Sequence, residues 1–171
     1  MSNELPYIPL DEELSLNFSL MAITISELSH SSRGNLNLDI NKLQIFLYLI
    51  KNPAKISQLL NAAGVSGKKI DIVDIQQTYT IKSFSSNVDI LFDQSRAKFL
   101  IKYLALKGLL LAEKTKDNST KLFLSPKGKE FSDSLNSKYF DSVRLLIKAI
   151  SPLQSLNTTK LNSLLNSVFR G

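Results

Sequence analysis

The sequence has no cysteine and a single histidine, His30. Without cysteine there is no disulfide and no thiolate metal site, and one histidine cannot supply a multi-histidine metal cluster. Long apolar runs are missing too. No stretch reaches the roughly 18–20 residues that span a bilayer. The N-terminus, MSNELPYIPLDEEL, lacks a basic region followed by an apolar run, so it does not read as a signal peptide. A cytoplasmic protein without a membrane partner is expected. Internal repeats and low-complexity tracts are also absent.

What is present is enough apolar material for a core, 43% of 171 residues. That length suits one domain with extensions, or two very small ones. The charge of +6 is unevenly spread. Residues 1–40 carry one base, Arg33, against six acids, whereas residues 93–138 carry ten bases against five acids. This polarity suits an acidic arm that meets one partner and a basic body that meets another, or an ordinary solvated surface.

Hydrophobic periodicity organises the chain into helices. Leu14, Phe18, Met21, Ile25 and Leu28 recur at spacings of four and three, which makes one stripe on a helix. Asp11, Glu12 and Glu13 stand at its N-terminus, where the helix dipole favours negative charge. Leu16, Leu20 and Ile23 add a second flank, so cover from more than one side is expected, including from another chain. DINKLQIFLYLIKNP predicts a second helix, capped by Asp39 or Asn41 and stopped at Asn52-Pro53. Ala54 to Ala63 predicts a third, ending at Gly64. In residues 68–86 the β-branched content and TYTI favour a strand, while the spacing of Ile72, Ile75 and Tyr79 also fits a helix. Asp93 or Ser95 then opens a helix that ends at Gly108, and strands near 109–115 and 120–125 form a hairpin around Asp117-Asn118-Ser119. Ser125-Pro126 starts another helix. Residues 138–151 and the stretch TTKLNSLLNSVF, with a threonine cap, supply two more.

The expected fold is mainly α: a winged-helix domain, with a two-stranded β wing, carrying helical extensions at both ends. The expected divisions are an acidic amphipathic arm at 1–35, the winged-helix domain at 36–137 and a C-terminal helical extension at 138–171.

Sites of chemistry are hard to find. GVSGKK at 64–69 has glycines too close for a phosphate loop, and Lys69 stands where Ser or Thr would bind magnesium. It reads as a helix-terminating turn. His30 sits in a serine-rich loop with no spaced acid partner. Asp71, Asp74 and Asp89 lack the context of a cation site and read as solvated surface. No nucleophile elbow or dinucleotide loop is present. The expectation is a protein that is not an enzyme, with no cofactor and no small-molecule substrate.

Binding remains. On a helical wheel Lys98 and Lys102 fall together beside Ala105, with Arg96, Tyr103 and Lys107 nearly opposite. Phe99, Leu100, Ile101, Leu104 and Leu106 fill most of the rest. No Asn or Gln on the exposed arc is placed to read adenine, so sequence-specific reading is not expected from this helix. Lys114, Lys116, Lys121, Lys127 and Lys129 cluster on and after the hairpin. Lysine suits phosphate contact, which gives salt-sensitive, sequence-independent affinity. The same lysines also serve to keep a hairpin edge from pairing.

Four stretches, LDINKLQIFLYLIKNPAKI, NVDILFDQSRAKFLIKYLALKGLL, LFLSPKGKEF and LNTTKLNSLLNSVF, together resemble one family. It is the small middle component of three-component ABC-ATPase systems, the class that includes Lamassu-type antiphage and antiplasmid defence. The resemblance covers roughly residues 36–169. It implies a non-catalytic winged-helix subunit that bridges an SMC/Rad50-like ABC ATPase and an effector, commonly a nuclease. In that setting Leu14, Phe18, Met21, Ile25 and Leu28, with Leu161, Leu164, Leu165 and Val168 of the last helix, are the expected partner interface. A dimeric winged-helix transcriptional regulator is the alternative, with the end helices forming the dimer.

Overall fold

The computed structural model describes residues 13–65 and 94–169. Residues 68–86, where the sequence left strand and helix open, lie outside them, as do Asp71, Asp74, Asp89 and Asp93. The order is α1 (Leu14–Leu28), α2 (Ile40–Lys51), a 3-10 turn (Pro53–Lys55), α3 (Ile56–Ala62) and α4 (Ser95–Leu106). Then follow β1 (Leu110–Lys114), β2 (Thr120–Leu124), α5 (Pro126–Ser134), α6 (Lys138–Ile150), a second 3-10 turn (Ser151–Ser155) and α7 (Thr158–Phe169). The protein is mainly helical, with one two-stranded antiparallel sheet among the described residues.

Side-chain oxygens set most helix starts. The Glu13 carboxylate accepts from the Ser15 and Leu16 amides, Asp39 from the Lys42 amide and Ser137 from the Phe140 amide. Of the two candidates for α2, Asp39 is the cap. Three other starts differ in detail. Asn157 rather than a threonine caps α7, through the Lys160 amide at 2.8 Å. Ser95 begins α4 after Gln94, which makes no side-chain cap bond. The helix expected from Ala54 opens as a 3-10 turn behind Pro53. Both α3 and α4 end in the same device. Gly64 and Gly108 take left-handed backbone (φ 74° and 72°), and the next residue's amide reaches back to Leu60 and Leu104 respectively.

The largest departure concerns α1. Its stripe is not an outward-facing arm. Met21 and Ile25 are fully buried and Leu28 nearly so, and Leu20, Ala22 and Ile23 are buried on the other flank. The cover comes from α2, α4, α5, α6 and β2 of the same chain. A helix apolar on most of its circumference belongs at the centre of a fold, whichever residues precede it. Leu161 and Leu165 of α7 are likewise buried, with Leu164 and Val168 packed against the same cluster. The helices assigned to terminal extensions therefore share one apolar core with the residues between them.

The strands pair from Leu110 opposite Leu124 to Lys114 opposite Thr120. Asn118 turns the hairpin at φ 67°. Beside α4 the chain is tightly tied: the Ser125 hydroxyl donates to the Gly108 carbonyl at 2.6 Å, and the Ser125 amide to the Leu109 carbonyl at 3.0 Å. The same hydroxyl accepts from the Gly128 amide at 3.0 Å.

A polar clasp holds the α1–α2 connection to the turn after α6. The Lys42 ammonium donates to Asn37 Oδ1 and to the Gln154 carbonyl, both at 2.9 Å, and Asn37 Nδ2 donates to that carbonyl at 2.8 Å. Gln154 Nε2 donates to the Leu28 and His30 carbonyls. Lys42 is 5% exposed. Burial pulls its pKa below the usual lysine value of 10.5, with Asp39 opposing and Lys121 reinforcing the effect. Because the folded pKa is the lower one, the unfolded chain binds more protons. Stability therefore rises as pH climbs through the alkaline range toward 10.5. Urea midpoints across that range should climb less for Lys42→Met than for the native chain; identical slopes would contradict a strained ammonium.

Candidate functional site

Helix α4 and the hairpin carry five of the seven lysines singled out in the sequence, and Lys127 and Lys129 follow on α5. Ala97, Leu100 and Leu104 form the buried stripe of α4, with Ile101 half-buried. That stripe is narrower than the apolar content suggests. Phe99 and Leu106 stand out of it, 53% and 85% exposed. Together with Lys98 and Lys102, both exposed, they form the outer face of the helix. No carboxylate occurs anywhere in SRAKFLIKYLAL.

An aromatic chain supports this face from beneath. The Phe18 ring lies edge-on to Tyr103, with centroids 5.0 Å apart, and edge-on to Phe131 at 5.7 Å. Tyr103 in turn stacks with Phe99 at 6.4 Å and an interplanar angle of 24°. The Lys107 ammonium sits 5.4 Å from the Tyr103 ring centre. Phe18, one of the residues expected at a partner interface, fastens α4 and α5 to α1.

The five lysines expected at phosphates, taken with Lys98 and Lys102 of α4, divide into two groups. Lys98, Lys102, Lys114 and Lys116 are exposed, the last two on and beside the hairpin strand β1. The other three have internal partners. The Lys121 ammonium is 3.3 Å from Asp39 Oδ2, both side chains largely buried, so this lysine ties β2 to the start of α2. Lys127 donates to the Lys107 carbonyl at 3.2 Å, at the C-terminal end of α4 where a cation is favoured. Lys129 pairs with Asp133 at 3.0 Å and donates to Ser26 Oγ at 2.9 Å. Asp39 lies 82 residues from Lys121, too far for a local pattern to reveal the pair.

Of the expected interface residues, Leu14 alone is substantially exposed, at 45%. Other exposed apolar groups are Leu111 on β1, and Tyr139 and Leu145 on α6. Leu145 borders an open groove of about 590 Å³ between α1 and α6, lined also by Glu27, Asp141, Arg144 and Lys148. Arg144 is anchored there, donating to the Leu135 carbonyl at 2.7 Å and the Ser132 carbonyl at 2.6 Å. His30 is exposed, its Nδ1 2.9 Å from Ser29 Oγ and its ring edge-on to Phe123. Among the described residues no three His, Asp or Glu side chains come together as a metal site. No described helix is long and apolar enough to cross a membrane.

The geometry is thus a basic, partly aromatic helix face beside a lysine-bearing hairpin, mounted on a self-contained helical core. Compared with protein families, residues 28–163 match the model described as ABC-three component (ABC-3C) system Middle Component 4. Neither a curated protein nor a solved structure matches the chain.

Proposed function

The chain belongs to the ABC-three component (ABC-3C) system Middle Component 4 family, and from that premise we propose that it is a non-catalytic adaptor subunit of a bacterial defence complex. It joins an SMC/Rad50-like ABC ATPase to an effector, a nuclease in the reading favoured by the sequence resemblance. The single observation that carries this is the family match across residues 28–163, which takes in most of the core. Among the described residues, the order of three helices, hairpin and helix between 40 and 134 supports a winged-helix arrangement within it.

The test is co-expression with an ABC ATPase found encoded beside its gene. A stoichiometric complex that survives gel filtration is expected. A stable monomer that ignores the ATPase would overturn the adaptor. Duplex contact is the second part of the reading, through the phosphate backbone at Lys114 and Lys116. The double variant Lys114→Glu/Lys116→Glu should weaken duplex binding and lower the salt slope by about 0.9 for each phosphate no longer neutralised. Unchanged affinity and slope would remove the hairpin from the interface. The dimeric-regulator alternative gains no support, because Met21, Ile25, Leu161 and Leu165, the faces it would pair, lie inside the core of the chain.

A further inference from the structure

We propose that the outer face of α4 is a platform for unpaired nucleic acid, with Phe99 stacking on a base while Lys98 and Lys102 hold the neighbouring phosphates. The proposal rests on the nucleic-acid part of the reading above and goes beyond it in naming the strand state and the residue that senses it.

Three observations converge on this face. Phe99 is a large ring 53% exposed near the centre of the outward arc, with Leu106, 85% exposed, two turns further along the same arc. It is held in place: its stacking on Tyr103, and the edge contact of Tyr103 with Phe18, connect it to the core. Little ordering of the ring remains to be done on binding. The charge on this arc of the helix is of one sign, since Lys98 and Lys102 flank the ring and SRAKFLIKYLAL holds no acid. That complements a polyanion.

The combination selects between nucleic-acid forms. A duplex reader in the major groove needs polar groups on this arc, and a phenyl ring offers it little beyond contact with a thymine methyl. An unpaired base exposes its whole face, and stacking on an aromatic side chain is tolerant of sequence. Lysines beside the ring fit the same ligand, because they hold phosphates without reading bases.

The test is fluorescence anisotropy of the full chain with labelled oligo-dT and with a duplex of equal length, over a series of salt concentrations. The native chain is expected to bind oligo-dT more tightly than the duplex. Phe99→Ala should weaken oligo-dT binding about tenfold, with Phe99→Tyr retaining it and duplex affinity unchanged. Lys98→Gln/Lys102→Gln should weaken it too and flatten the salt slope by about 0.7 for each phosphate released. Three results would overturn the platform. If Phe99→Ala leaves oligo-dT affinity unchanged while Lys114→Glu/Lys116→Glu still weakens duplex binding, the platform fails and the duplex reading stands. If neither oligonucleotide binds the chain, alone or in its complex, both fail together. If Phe99→Ala releases the co-expressed ATPase and spares oligo-dT binding, the face belongs to an acidic protein segment instead.

Discussion

Replacing Gly128 by alanine is expected to destabilise the protein by about 3 kcal/mol, the upper range for forcing extra volume into a packed site. A Cβ built on Gly128 would lie 1.9 Å from the Leu109 carbonyl oxygen and 2.8 Å from its carbon. Those are backbone atoms and cannot rotate away. The first turn of α5 would have to withdraw from the hairpin, stretching the Ser125 bonds to the Gly108 and Leu109 carbonyls that position it. For a chain of this length the loss corresponds to a melting point lower by roughly 6–12 °C. Thermal and urea unfolding of Gly128→Ala measures it, with Glu130→Ala, exposed on the same helix, as the control that should change little. A variant of native stability would mean that α5 does not approach Leu109 so closely.

An acidic group at Met21 is expected to cost more still. Met21 is fully buried at the centre of α1, and Met21→Glu both removes its packing and strands a carboxyl without a partner. Losing the packing alone falls in the range of about 2–5 kcal/mol. With the desolvated acid added, the total approaches the roughly 5–15 kcal/mol that holds an ordinary domain together. The expected result is a chain that does not fold, visible as lost cooperativity in circular dichroism. Leu14→Glu on the same stripe should instead fold normally, because Leu14 is 45% exposed. If Met21→Glu were folded and merely failed to bind its partners, the stripe would be an interface after all.

Much of the architecture was legible because its causes are local. A capping carboxylate acts within one turn, as Asp39 does on the Lys42 amide. Gly64 and Gly108 reverse the chain by their own backbone freedom, and the alternation around Asp117-Asn118-Ser119 needs only neighbouring strands. The stripe from Leu14 to Leu28 was legible as a helix for the same reason. Its role was not. Period shows which residues seek cover and says nothing about whether cover comes from the same chain. The second flank of Leu20 and Ile23 was the available hint that α1 is surrounded.

The candidate site divides in the same way. Lysine density marked residues 98–129 as a binding region, since charge is a property of composition. Which lysines are free depended on partners distant in sequence: Asp39 for Lys121, Ser26 for Lys129. Phe99 and Leu106 read as apolar filling, yet α4 buries only the narrow stripe of Ala97, Leu100 and Leu104 and leaves them outside. Gly128 gave no local sign of its importance, because a glycine near a helix start is tolerated for several reasons. The amino-acid sequence by itself determined the helices, the Asp39 and Ser125 caps, the hairpin and the basic character of the middle of the chain, all short-range effects of backbone sterics and charge. Only the tertiary structure decided that α1 is a core helix, that Gly128 must be bare, and that Phe99 faces outward among lysines. Each of these depends on how closely distant segments approach, a quantity that no stretch of sequence contains.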